Sequence, residues 1–158
     1  MTAMPYDTPI VNYTAAKGLI WHDQKILFIR EAERYVDGTP NAGLYDVVGG
    51  RLEPGESWEE GLAREVEEEV GLSIQTIYPF YTATFRVPRP GLIWNITAVF
   101  FVVIPSSNDV CLSSDHDHFI WWDPNTPLPD GVRLLSGYDK MIEQFNFYNR
   151  YIPFSEMG

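Results

Sequence analysis

The sequence predicts an α/β domain in which a mixed β-sheet lies between helices, and three observations carry that reading. Apolar stretches of strand length recur along the chain, divided by short turn-like segments. A helix with both a start and a stop signal occupies residues 58–70. A second helical stretch follows the last of the strands, near 134–148. Strands interleaved with helices are most simply packed as a sheet covered on both faces. A chain of 158 residues, 45% of them hydrophobic, supplies one core and not two. Residues 1–12 read as a loosely held arm, 13–150 as one domain and 151–158 as a tail.

Taken in order, the apolar runs 15–21 and 25–29 flank His22, Asp23 and Gln24 and form a β-hairpin. Residues 31–43 are polar, with Gly38, Pro40 and Gly43, a loop long enough to suggest function. A short strand over 44–48 leads into Gly49 and Gly50. Residues 74–87 and 92–104 are long strands joined by a turn over 87–91, where Pro88 and Pro90 bracket Arg89. A loop over 106–114, a short strand over 118–122 and an irregular proline-rich stretch over 124–131 precede the last helix. That helix turns Leu135, Met141, Ile142 and Phe145 toward the core, with Gly137 weakening its first turn.

The helix at 58–70 carries the chemistry. Eight of the chain's twelve glutamates fall between Glu53 and Glu69. Pro54 and Gly55 make a tight loop, Ser57 is placed to cap the helix with Glu60 completing a capping box, and Gly71 ends it. Leu62, Ala63, Val66 and Val70 form an apolar face. Glu65, Glu68 and Glu69 share a neighbouring face, related by steps of three and four residues. Like charges at that spacing oppose the helix, and only Arg64 is there to offset them. A solvated acidic face is one explanation; the other is that the carboxylates converge on a hard divalent cation such as Mg²⁺ or Mn²⁺.

Residues 50–72 resemble the signature box of the Nudix hydrolases at every specified position: Gly50, Glu56, Arg64, Glu65, Val66, Glu68, Glu69, Gly71 and Leu72. A looser likeness extends from about Thr14 to Pro124. The resemblance implies the α/β/α sandwich and a Mg²⁺- or Mn²⁺-dependent hydrolase that cleaves the pyrophosphate link of a small nucleotide. Glu68 and Glu69 are then the principal metal ligands, Glu65 a further ligand or the base, and the Gly49 carbonyl an additional ligand. Arg64 would organise the site by pairing with Glu56. Where many members have proline before the paired glycines, this chain has Val48. An acid from outside the helix is expected from the segment before the late strand, Asp115 ahead of Asp117. His116 and His118 beside these acids raise zinc, but four ligands at zinc-finger spacing are absent. Arg30, Arg34, Arg51 and Arg86 could meet phosphates; Tyr35, Tyr45, Phe85 and Trp94 could stack a base, although core is the better reading for them. Pro88 resembles a proline that follows the box in some ADP-ribose-cleaving members.

Composition narrows the remaining classes. A net charge of −11 disfavours long nucleic acid as a partner. The lone Cys111 fits a reducing compartment, the N-terminus lacks the regions of a signal peptide, and the longest apolar run is far below membrane-spanning length. A soluble cytoplasmic protein with no membrane partner is expected, with a homodimer left open. A nucleotide-binding module without turnover and an isomerase-type relative are the competing readings. The first normally shows broken box glutamates, and here every one is intact.

Overall fold

The structure, a computed structural model, describes residues 7–33, 41–152 and 154. In chain order the elements are β1 (Ile10–His22), β2 (Lys25–Glu31), β3 (Tyr45–Asp46), β4 (Val48–Arg51), α1 (Trp58–Val70), β5 (Ile74–Arg89), β6 (Leu92–Pro105), β7 (His116–Trp122) and α2 (Tyr138–Tyr151). Among the described residues seven strands form one sheet in the order β3-β2-β1-β6-β5, with β4 pairing β1 and β7 pairing β2. β1 and β6 run parallel from Ile10↔Ile93 to Ile20↔Val103, and the other pairings are antiparallel. The sheet is therefore mixed, as the sequence predicts.

Its two faces are divided by the alternation of side chains along each strand. Ala15, Leu19 and Trp21 of β1 join Ala98, Phe100 and Val102 of β6 in a core closed by Tyr138, Met141 and Phe145 of α2. The intervening residues Ala16 and Ile20 join Phe101 and Val103 in a second core, closed by Leu62, Val66 and Val70 of α1. The helices lie on opposite faces, which makes the α/β/α sandwich. Each of the three α1 side chains is fully buried, worth about 1.5–3 kcal/mol apiece. Gly18 lets α1 sit this close, because a Cβ there would stand 2.9 Å from Val103 and 3.1 Å from Leu62.

The β1–β2 hairpin turns on Asp23 (φ 51°) and Gln24 (φ 61°), the two left-handed residues that the right-handed strand twist favours. Pro88 lies inside β5, opposite Ile93, and the turn shrinks to Pro90 and Gly91. An edge strand tolerates such a proline because no neighbour needs its missing N–H on the outer side.

Three boundaries differ from expectation. β1 begins at Ile10, inside the expected arm, because its first residues pair with β6. α2 begins at Tyr138 rather than near 134 and continues to Tyr151. Gly137 (φ 85°) breaks the helix, and Leu134 and Leu135 instead pair along Tyr45. In the expected tail, Phe154 is buried, stacked on Phe145 with ring centres 5.8 Å apart. No helix among the described residues is long and apolar enough to cross a membrane.

Candidate active site

The loop before α1 is tied down by short-range contacts. The Ser57 hydroxyl accepts from the Glu60 N–H at 3.1 Å, and the Glu60 carboxylate accepts from the Ser57 N–H at 3.1 Å, a complete capping box. Arg64 grips Glu56 with two parallel bonds, Nε at 2.8 Å and Nη2 at 2.9 Å, and Glu56 also accepts the Glu53 N–H at 2.6 Å. The bonds from Arg64, and then that from Glu53, draw the Glu56 carboxyl down to about 2. Arg64 also donates to Glu65 at 3.0 Å, Glu68 at 3.2 Å and the Arg51 carbonyl at 3.3 Å. One guanidinium thus joins loop, strand and helix.

Gly49 and Gly50 admit the helix's carboxylates. Glu69 Oε1 accepts the Gly49 N–H at 2.7 Å, and a Cβ on Gly50 would fall 2.8 Å from Glu65 Oε1. Gly49 itself holds φ 137°, and a Cβ there would meet the Ala16 carbonyl oxygen at 2.2 Å. Burial pushes the Glu69 carboxyl up to about 8, against the opposing pull of Lys17 and the Gly49 N–H. Glu65 and Glu69 have side-chain exposures of 16% and 15%, whereas Glu68, at 58%, is turned outward to Arg64. The three-way convergence expected from the helical spacing is therefore two inward carboxylates and one outward. Among the described residues no group of three or more His, Cys, Asp or Glu side chains closes into a metal cage. The donors nevertheless have the chemistry a hard cation requires: carboxylate oxygens and a glycine carbonyl, with Glu65 seated in a notch that any Cβ on Gly50 would fill.

A cavity of about 410 Å³ opens on the other side of the same glycine. Its walls include Leu44, Phe85, Val87, Ile96 and Leu135, and Gly50 and Arg51 stand at its edge. Its polar lining includes Lys17, Asp46, Tyr138, Asn41 and Ser136. Lys17 Nζ donates to Asp46 Oδ2 at 3.0 Å and stands 3.5 Å from the Gly49 carbonyl oxygen, while the Tyr138 hydroxyl donates to Asp46 Oδ1. Burial works against the Lys17 ammonium, but Asp46, Glu69 and Glu65 outweigh it and hold its pKa above the ordinary lysine value. Burial, with Asp46 beside it, keeps the Tyr138 phenol protonated well beyond its usual range.

The other sequence-derived candidates are dispersed. Arg51 lies over the rings of Tyr13 (4.5 Å) and Trp94 (4.6 Å) at the cavity edge. Arg30 pairs with Asp117 at 2.6 Å, away from the helix carboxylates. Arg86 alternates with Phe85 and Val87, which line the cavity, so it faces the opposite side of the sheet. Arg34 and Tyr35 lie outside the described residues. Asp115 is exposed in the turn before β7. The side chain this segment brings to the helix is His116, whose Nε2 is 3.4 Å from Glu69 and 3.5 Å from Glu31. Phe85 lines the cavity, and Tyr45 is buried with its hydroxyl 2.9 Å from His118 Nδ1. Sequence reasoning missed Lys17, Asp46 and Tyr138, and raised His116 only in connection with zinc. Lys17 did leave a signal, being the one charge in the apolar run 15–21.

The acidic helix and the cavity thus lie on the two sides of Gly50. The chain belongs to the NUDIX domain family, whose model matches residues 12–144. It spans about a third of the length of several curated relatives, among them an octanoyltransferase of Myxococcus xanthus, with which it is 38% identical over 121 residues covering 75% of this chain and 31% of that one. It is 28% identical to an ADP-ribose pyrophosphatase of Methanocaldococcus jannaschii, over 83% of this chain and 71% of that one. The crystal structure of a MutT NUDIX hydrolase from Burkholderia pseudomallei superposes with a TM-score of 0.68 at 22% identity, covering 85% of this chain and 98% of that one. That likeness is one of fold.

Proposed function

We propose that this enzyme hydrolyses the pyrophosphate link of a nucleoside diphosphate derivative, ADP-ribose or a nucleoside triphosphate, with Mg²⁺ or Mn²⁺ as cofactor. The observation that supports it most is the double exposure of Gly50: the residue borders the cavity on one side and receives the Glu65 carboxylate on the other. A nucleoside held in the cavity would present its diphosphate at the carboxylate helix.

Glu65, Glu68, Glu69 and the Gly49 carbonyl are the groups to hold the cation. Such an ion, when bound, withdraws charge from phosphate oxygens and makes its bound water more acidic. The remaining work belongs to the chain. Glu65, fixed by Arg64 and half-enclosed by the Gly50 notch, takes the proton from water in this reading, besides facing the cation. Arg64 is itself fixed by Glu56, so the position of the base is set through two charge-assisted bonds. The apolar cavity walls exclude water from the nucleoside and leave it at the phosphate end.

Screening nucleoside triphosphates, ADP-ribose and dinucleoside polyphosphates in H₂¹⁸O tests this reading and locates the phosphorus attacked. Turnover of at least one compound is expected, abolished in Glu68→Gln and Glu69→Gln with the fold intact by circular dichroism. Full activity in both variants would defeat the assigned roles.

A further inference from the structure

Lys17 is a charged residue where the fold has little room for one. It lies on β1, flanked by β4 and β6 on its two sides, with Gly49 and Phe100 as register partners. Its side chain is 13% exposed and ends at the polar limit of the cavity. A buried ion pair whose only purpose is to join β1 to β3 stabilises a fold no better than an apolar pair of the same volume. This pair has two further features. The Tyr138 hydroxyl, carried in by the first residue of α2, is spent on fixing the second Asp46 oxygen. The pair also opens onto the cavity, where Lys17, Asp46 and Tyr138 all contribute to the lining.

An ammonium has three donors. One is committed to Asp46 at 3.0 Å and a second has only the distant Gly49 carbonyl at 3.5 Å. Donor capacity therefore remains beside Gly50, at the seam between the cavity and the carboxylate helix. The neighbouring cations are otherwise engaged: Arg64 by Glu56, Glu65 and Glu68, and Arg51 by the Tyr13 and Trp94 rings. In a chain of net charge −11, an anionic ligand entering here needs a fixed positive group to meet it.

We propose that Lys17 receives the phosphate attached to the nucleoside in the cavity, so that part of the nucleotide affinity is independent of any divalent cation. Asp46 and Tyr138 are positioning residues that aim the ammonium. This inference rests on the cavity being the nucleoside site, and the test separates the two ideas.

The experiment is calorimetric titration of the whole protein in EDTA with AMP against adenosine, and CMP against cytidine. The wild-type protein is expected to bind the better-fitting monophosphate about tenfold more tightly than its nucleoside, the scale of one charge-assisted bond. Lys17→Gln should abolish the preference for monophosphate over nucleoside, while Lys17→Arg retains it. Measurable nucleoside binding by the variant shows that the cavity is still formed. Should Lys17→Gln fold poorly, Lys17→Met combined with Asp46→Asn removes both charges together and carries the same comparison. Undiminished monophosphate binding in these variants overturns the proposal. An equal fall for nucleoside and monophosphate also overturns it, by assigning Lys17 to the cavity wall. Absence of nucleoside and monophosphate binding by the wild-type protein would overturn the cavity assignment and this inference with it, whereas hydrolysis in the substrate screen would stand apart from either result.

Discussion

The molecule holds two clusters of charge a few residues apart in space and built in opposite ways. Arg64 gathers Glu56, Glu65 and Glu68 from positions at most eight away in sequence, on a helix and its entry loop. Lys17, Asp46 and Tyr138 come together across separations of 29 and 92 residues, joining β1, β3 and α2. The first is a local device, whose geometry follows from helix spacing once the helix forms. The second exists only when the tertiary fold is complete. The local cluster should therefore govern chemistry, and the long-range cluster should govern both stability and the ligand's seat.

The largest effect expected is on turnover. Glu69→Gln keeps the hydrogen bond to the Gly49 N–H, since the amide oxygen can accept it, and removes only the capacity to ionise. Hydrolysis should fall by about a hundredfold or more, the scale of losing a group that acts directly in the chemical step. Steady-state kinetics on whichever nucleotide the wild-type enzyme turns over decides it, and a loss under threefold would remove Glu69 from the site.

Next comes pH. The Glu69 carboxyl is raised from 4.5 to about 8 by burial, so between those values the folded protein holds a proton that the unfolded chain gives up. Stability from this group is present in full below about 4.5 and is lost as pH rises through about 8. In EDTA the thermal midpoint should therefore decline across that window, and Glu69→Gln should flatten the decline. Binding of Mn²⁺ must displace the same proton, so its affinity should climb with pH and level off near 8. A midpoint that rises over the window in the wild-type protein would mean that Glu69 is ionised throughout.

Breaking the long-range cluster comes third. Asp46→Ala leaves Lys17 buried without its hydrogen-bonded carboxylate, at a cost of about 3 kcal/mol. Tyr138→Phe removes one donor and leaves the ion pair standing, at a cost of about 1 kcal/mol. Urea unfolding in the absence of metal measures both. Equal costs would show that the hydroxyl, and not the pairing of charges, holds the cluster together.

These contrasts also explain what could be read in the chain beforehand. The α1 boundaries, its capping box and its stop at Gly71 were legible because each depends on residues within one or two helical turns. The mixed sheet between helices was legible from apolar periodicity. The start of α2 was not, because Leu134 and Leu135 have the apolar character of a helix face and were claimed instead by pairing with Tyr45, eighty-nine or more residues earlier. Nor was Glu68 legible: helical spacing puts it beside Glu65, and only the reach of Arg64 turns it outward. Asp46 carries no local sign at all, and the acids beside His116 pointed to zinc and not to Glu69, since each is defined by what a distant strand or helix brings to it. Lys17 alone offered a clue, and it was one of context: a lone charge in a run otherwise fit for a buried strand.

The smallest expected effect tests the local cluster at its own scale. Ser57→Ala removes the hydroxyl that accepts the Glu60 N–H and leaves the Glu60 carboxylate bond to the Ser57 N–H in place. The loss should be about 1 kcal/mol. The Arg64–Glu56 pair spans the same first turns, so it limits fraying and should keep the loss from spreading to Glu65. Ser57→Ala is thus expected to lower the urea midpoint slightly and leave kcat unchanged, whereas Arg64→Gln, with a comparably small effect on stability for a partly exposed pair, should lower kcat. If Ser57→Ala reduced kcat as much as Arg64→Gln does, the helix start itself, and not the guanidinium, would be what sets the carboxylates.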